Sequence, residues 1–164
     1  SLKNQQDVSN KNDRNRVFAA GRFQIVPDTM YAVKVGLKLG GNDRYNPITQ
    51  EKMADWMLLN YNVRRNVANY LRGSNEGSER DLEKAINDIG YEWASMPVIT
   101  SLNGKRLGDV SKGTGQYAAY PGIGGNPDIA KVSVKTMVNI LIQTRIKYSG
   151  KTPIFMPKYY NPYL

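Results

Sequence analysis

The chain has 164 residues, 40% of them hydrophobic, which is about one domain with enough apolar side chains for a core and excludes a disordered chain. It contains no cysteine and no histidine, which removes disulfides, thiol chemistry, Ser-His and Cys-His pairs and the commonest zinc sites. A net charge of +9 favours anionic partners, whether nucleic acid, a membrane surface or an anionic cell wall.

Residues 1–16 are polar and read as a loop or frayed end, with no apolar stretch of the signal-peptide kind; any export would use a signal elsewhere or another route. A first helix is predicted from Pro27-Asp28-Thr29, where proline suits the first turn and aspartate the positive helix end. Met30, Val33 and Leu37 share its apolar face, and Gly40-Gly41 is the expected stop. A second helix is expected after Thr49 as N-cap, with Met53, Trp56 and Met57 as its stripe. Tyr61 to Leu71 reads as a third, stopped by Gly73.

Ser78-Glu79-Arg80-Asp81 has the form of a capping box with aspartate in place of glutamate. Leu82, Ala85, Ile86, Ile89, Trp93 and Met96 follow at helical spacing, and Pro97 is the expected stop. Residues 98–127 are glycine-rich and irregular, with room for short strands. Ser133 is the predicted cap of a last helix whose Val134, Met137, Val138, Leu141 and Arg145 share a face, ended by Gly150. Residues 151–164, with three prolines and three tyrosines, predict an extended strap. The sum is a mainly α protein: a polar segment 1–16, a helical domain 17–150 with a small irregular or β lobe, and the strap. No apolar run approaches the roughly 18 residues of a membrane span.

Two segments carry a family resemblance. The run Phe18-Ala19-Ala20-Gly21-Arg22-Phe23-Gln24-Ile25-Val26-Pro27-Asp28-Thr29-Met30 resembles the Gly-Arg-Tyr-Gln segment of phage lambda-type endolysins, which are lytic transglycosylases. It also resembles the matching segment of muramidase domains in secreted antibacterial effectors. More loosely, it is similar to the Gly-Leu-Met-Gln-Ile-Met-Pro motif of soluble lytic transglycosylases. Tyr91-Glu92-Trp93-Ala94-Ser95-Met96-Pro97 is similar to the Trp-Ala-Ser-Leu-Pro segment of the lambda-type endolysins, and Gly113-Thr114-Gly115-Gln116-Tyr117 follows in the same order. The likeness covers roughly residues 17–148.

The resemblance implies an α+β lysozyme-like fold with a groove for the MurNAc-GlcNAc glycan of peptidoglycan. It implies action in the bacterial periplasm or cell wall after secretion or phage lysis. Glycan strands are the implied partner, with an immunity protein beside them; no nucleic acid, metal or organic cofactor is expected. In that family the catalytic glutamate lies upstream of the Gly-Arg-Tyr-Gln segment. The 20 residues before Gly21 hold no glutamate, so the acid is expected from an upstream domain or fragment. The alternatives are a wall-binding module without chemistry and, on charge alone, a nucleic-acid-binding domain.

Glycosidic cleavage needs an acid to protonate the leaving oxygen, and hydrolases add a second carboxylate as base or nucleophile. In a lytic transglycosylase, the resemblance implies, the sugar's own 6-hydroxyl attacks and one glutamate suffices. Such an acid needs an apolar setting. Glu92, between Tyr91 and Trp93, is the catalytic candidate inside the chain; it either faces the groove or pairs with a basic neighbour on the helix surface. Arg22 and Gln24 either contact sugar or pin their loop. Ser95, by the resemblance, lines the groove, and Tyr117 and Tyr120 either stack on sugar faces or pack. Asp7 and Asp13 read as solvated loop aspartates, and Trp56 and Trp93 as core. Gly122-Ile123-Gly124-Gly125-Asn126 lacks the Gly-Lys-Ser/Thr ending of a phosphate loop. The pairs Arg64-Arg65 and Lys105-Arg106 are too short for a nucleic-acid patch and read as solvated faces.

Overall fold

The computed structural model describes residues 19–122 and 128–163. Asp7, Asp13, the segment 1–16 and most of the run from Gly122 to Asn126 lie outside them. The chain is mainly helical. Among the described residues it forms α1 (Pro27–Gly36), α2 (Pro47–Asn60), α3 (Arg65–Leu71), α4 (Glu79–Glu92) and α5 (Val134–Ser149), with a 3-10 turn at Asn62–Arg64 before α3. No helix there is long and apolar enough to cross a membrane. Two compact units divide the chain, Ser1–Met57 and Leu58–Leu164.

In the first unit, an antiparallel bridge between Ala20 and Ile25 closes a tight turn ahead of α1. Proline at the start of α1 and Asp28 in its first turn act as expected, and Thr29, Met30 and Val33 are buried. The helix ends sooner than Gly40-Gly41. Lys38 adopts φ +56°, its N–H donates to the Val35 carbonyl at 3.1 Å, and the Leu39 N–H donates to Lys34 at 2.9 Å. This is a Schellman closure built on lysine. Helix α2 begins earlier than Thr49: Asn46 is the cap, accepting from the Thr49 N–H at 2.9 Å, with Pro47 at the first helical position. Trp56 lies across Gly36 so closely that a Cβ there would fall inside the indole.

The second unit starts in the last turn of α2, whose Leu58 and Leu59 pack on its core. That core joins Val67, Tyr70 and Leu71 of α3 to Leu82, Ala85 and Ile86 of α4, to α5 from Val134 to Ile142, and to Ile99 and Val110 of the irregular lobe. Tyr61 to Leu71 is not one helix, because Arg64, the last residue of the 3-10 turn, leaves helical geometry (φ −118°, ψ 49°) ahead of α3. The capping box of α4 forms in full: Ser78 Oγ accepts from the Asp81 N–H, and Asp81 Oδ2 from the Ser78 N–H. Ser133 caps α5 through the Thr136 N–H, and Gly150 ends it at φ +69°.

Helix α4 stops at Glu92, before Pro97 is reached; Trp93 is already extended. The chain folds back so that Pro97 and Val98 lie on Gly90, where a Cβ would strike the Pro97 carbonyl. Trp93 and Met96 therefore leave the helical stripe and are only half-buried. The lobe that follows holds isolated antiparallel bridges, Thr100 to Arg106, Asp109 to Thr114 and Tyr117 to Ile129, in place of strands. Glycines with positive φ at 104, 113 and 115 bend the backbone before a ladder can extend. The strap docks by main-chain bonds, with the Ile154 and Phe155 N–H groups donating to Glu76 and Gly77.

Candidate functional site

Arg22 and Gln24 sit in the turn of the first unit. The Gln24 backbone is left-handed (φ +49°), and its Nε2 donates to the Gly21 carbonyl at 2.7 Å. The Arg22 N–H donates to Gln50 Oε1 at 2.8 Å, and its guanidinium pairs with Glu51 at 2.7 Å in an exposed setting. Tyr45 locks the same turn by donating its hydroxyl to the Ala20 carbonyl at 2.8 Å, and burial raises its pKa. A Cβ on Gly21 would collide with the Tyr45 hydroxyl and Gln50, so glycine is required there for space as well as for its positive φ. Both candidate side chains thus carry bonds that hold the loop, and both remain exposed to solvent.

Glu92, Ser95, Tyr117 and Tyr120 belong to the second unit. Glu92 Oε2 accepts from Arg64 Nε at 3.2 Å, with the side chains 11% and 19% exposed. Arg64 also donates to the Tyr91 carbonyl and lies 5.9 Å from the Tyr91 ring centre. This half-buried clamp on the end of α4 corrects the reading of Arg64 as a solvated face. It is the arrangement of a structural ion pair; a general acid calls for apolar surroundings.

The motif around Ser95 is bonded to the chain just before α5, and the residue that follows the motif is bonded to the end of the glycine-rich segment. The Ser95 carbonyl accepts from the Lys131 and Val132 N–H groups at 2.9 and 3.3 Å, and the Val98 N–H donates to the Tyr117 carbonyl at 3.0 Å. Tyr117 and Ile129, paired across their bridge, are both more than half exposed. Tyr120 is half-buried and near enough to Tyr91 that the two phenols raise the charging cost of Tyr91, whose burial is the larger cause of its raised pKa.

A second feature was not singled out by motif. The 83, 87 and 91 row of α4 faces the hairpin 99–108, and between them opens a cleft of about 560 Å³. Asn87 Oδ1 accepts from the Ile99 and Thr100 N–H groups at 2.7 and 3.2 Å, and the Tyr91 hydroxyl donates to the Thr100 carbonyl at 2.7 Å. Glu83 accepts from the Thr100 hydroxyl at 2.6 Å and pairs with Arg106 at 3.6 Å. A polar residue at every fourth position of an otherwise amphipathic helix is the signal that could have found this row. Arg106, read as part of a solvated pair, lines the cleft across from it.

Among the described residues no group of three or more acidic side chains could hold a metal ion. No family model, curated protein or solved structure matches the chain.

Proposed function

We propose that the chain is the glycan-binding body of a lysozyme-like, peptidoglycan-cleaving glycosidase. What supports this reading is one juxtaposition. The segments that resemble lambda-type endolysins, Tyr91 to Pro97 and Gly113 to Tyr117, are separate in sequence yet brought together at one point, where the N–H of Val98, the residue after Pro97, donates to the Tyr117 carbonyl, with Tyr117 exposed there. An exposed aromatic on a backbone fixed by hydrogen bonds is suited to stacking on a sugar face. The exposed amide of Gln24 can both donate to and accept from sugar hydroxyls and acetamido groups. By the resemblance, the proton donor is a glutamate upstream of Gly21.

The test is release of soluble muropeptides from purified peptidoglycan, by this chain and by the same chain preceded by its natural upstream sequence. Mass spectrometry then reads the ends. Anhydro-sugars indicate transglycosylation and reducing ends hydrolysis. The expected outcome is release by the extended form; intact peptidoglycan with both forms would overturn the enzymatic reading. A wall-binding module without chemistry is the second reading, and the Arg64 clamp on Glu92, the one catalytic candidate of the chain, favours it. Retained sedimentation with peptidoglycan and no release would establish that second reading.

A further inference from the structure

The cleft between α4 and the hairpin 99–108 presents charge in an uneven way. Its two carboxylates are engaged by the protein: Glu83 by the Thr100 hydroxyl and Arg106, Glu79 by the Ser111 N–H at 2.9 Å. Two of its three cations are open, and the third, Arg106, is the one paired with Glu83. Arg80 and Lys84 line the cleft, are exposed, and have no carboxylate partner among the described residues; Arg106 keeps a side chain that is 57% exposed. Arg80 and Lys84 stand one helical turn apart on α4, and Arg106 comes from the opposite wall.

We propose that this cleft binds a short acidic peptide. Three cations spread along a cleft of about 560 Å³ suit carboxylates spaced along a chain. A single phosphate is better held by donors converging on one point. Glu79 and Glu83 within the cleft offer acceptors for peptide N–H groups, donors that a phosphodiester backbone lacks. The Tyr91 ring adds an apolar surface for a side chain. This site stands apart from the glycosidase reading and does not depend on it.

The probe is a fluorescein-labelled tetraglutamate peptide, titrated with the protein and followed by anisotropy. Saturable binding that weakens with salt is expected, with displacement by unlabelled tetraglutamate and not by a thymidine oligonucleotide of equal charge. The double variant Arg80→Gln/Lys84→Gln should weaken binding about tenfold, while Lys52→Gln/Lys147→Gln, which removes the same charge from exposed positions elsewhere, should change it by less than about twofold. Circular dichroism checks that each variant is folded. Equal weakening by both double variants would reduce the effect to net charge and overturn the proposal. So would the absence of saturable binding, or tighter binding of the oligonucleotide.

Discussion

Two side chains other than glycine occupy left-handed backbone among the described residues, Gln24 and Lys38, and they are held there differently. Gln24 is fastened by its own amide and by the bridge that closes its turn. Lys38 is held only by the closure of α1, whose two main-chain bonds need a left-handed residue at that point but no particular side chain. A lysine there carries the steric cost of its Cβ against the following carbonyl. Lys38→Gly should therefore stabilise the protein by about 0.5–1 kcal/mol, the gain being trimmed by the greater freedom of glycine in the unfolded chain. Urea unfolding at neutral pH measures it, and a lower midpoint would show that the lysine side chain makes an unrecognised contribution.

Helix α3 shows how little an element can owe to its own sequence. Its seven residues are too short to persist alone, and its N-cap position, Arg64, provides no side-chain bond. Both ends are completed by neighbouring helices. At the N-terminus the buried Asp88 of α4 accepts from the Asn66 and Val67 N–H groups at 2.8 and 3.1 Å. At the C-terminus the buried Arg145 of α5 donates to the Tyr70 carbonyl at 2.7 Å and to Asn75 Oδ1 and O at 2.8 and 2.6 Å, with its guanidinium 4.9 Å from the Tyr70 ring. Negative charge at the first turn and positive charge at the last both complement the helix dipole. Asp88→Ala leaves buried N–H donors without a partner and should cost about 2–4 kcal/mol in urea unfolding. A loss below about 0.5 kcal/mol, the level of an ordinary surface substitution, would show that α3 is capped by something else.

At the scale of the whole chain, alkaline pH probes the strap. The Tyr159 hydroxyl donates to the Val110 carbonyl, and burial, reinforced by Asp109 and Glu79, pushes its pKa from 10.0 to about 12. A group whose pKa is higher folded than unfolded contributes stability that is intact below the unfolded value and lost as pH rises through the folded one. Stability should thus fall between pH 10.0 and about 12, and Tyr159→Phe should fall less steeply there. Urea midpoints of the two proteins across that range provide the measurement; parallel curves would mean that the phenol is not protected. Tyr70 pulls in the same direction, since its burial raises its pKa further despite the opposing charge of Arg145.

Much of this architecture follows from sequence because it depends on neighbours a few residues apart. The capping box at Ser78, the Ser133 cap, the Gly73 and Gly150 stops and the apolar stripes of α4 and α5 are local patterns, and all are present. Two errors are local, the Asn46 cap that opens α2 ahead of Thr49 and the Lys38 closure that ends α1 ahead of Gly40; the others lie where a distant segment overrides a local preference. Helix α4 ends before its proline because Pro97 and Val98 return onto Gly90. The candidate residues were nameable one by one, but their bonding was not: Glu92 to Arg64 and Ser95 to Lys131 join positions whose partners no periodicity announces. The same holds for the cleft, whose α4 row is periodic while Arg106 reaches it only through a hairpin. Sequence alone determined where α1, α4 and α5 start, the apolar faces of α4 and α5 and how much charge the chain carries, because those depend on backbone propensity and side-chain spacing. Only the tertiary structure decided which carboxylates are engaged and which cations stay open, because pairing depends on through-space distances between residues far apart in the chain.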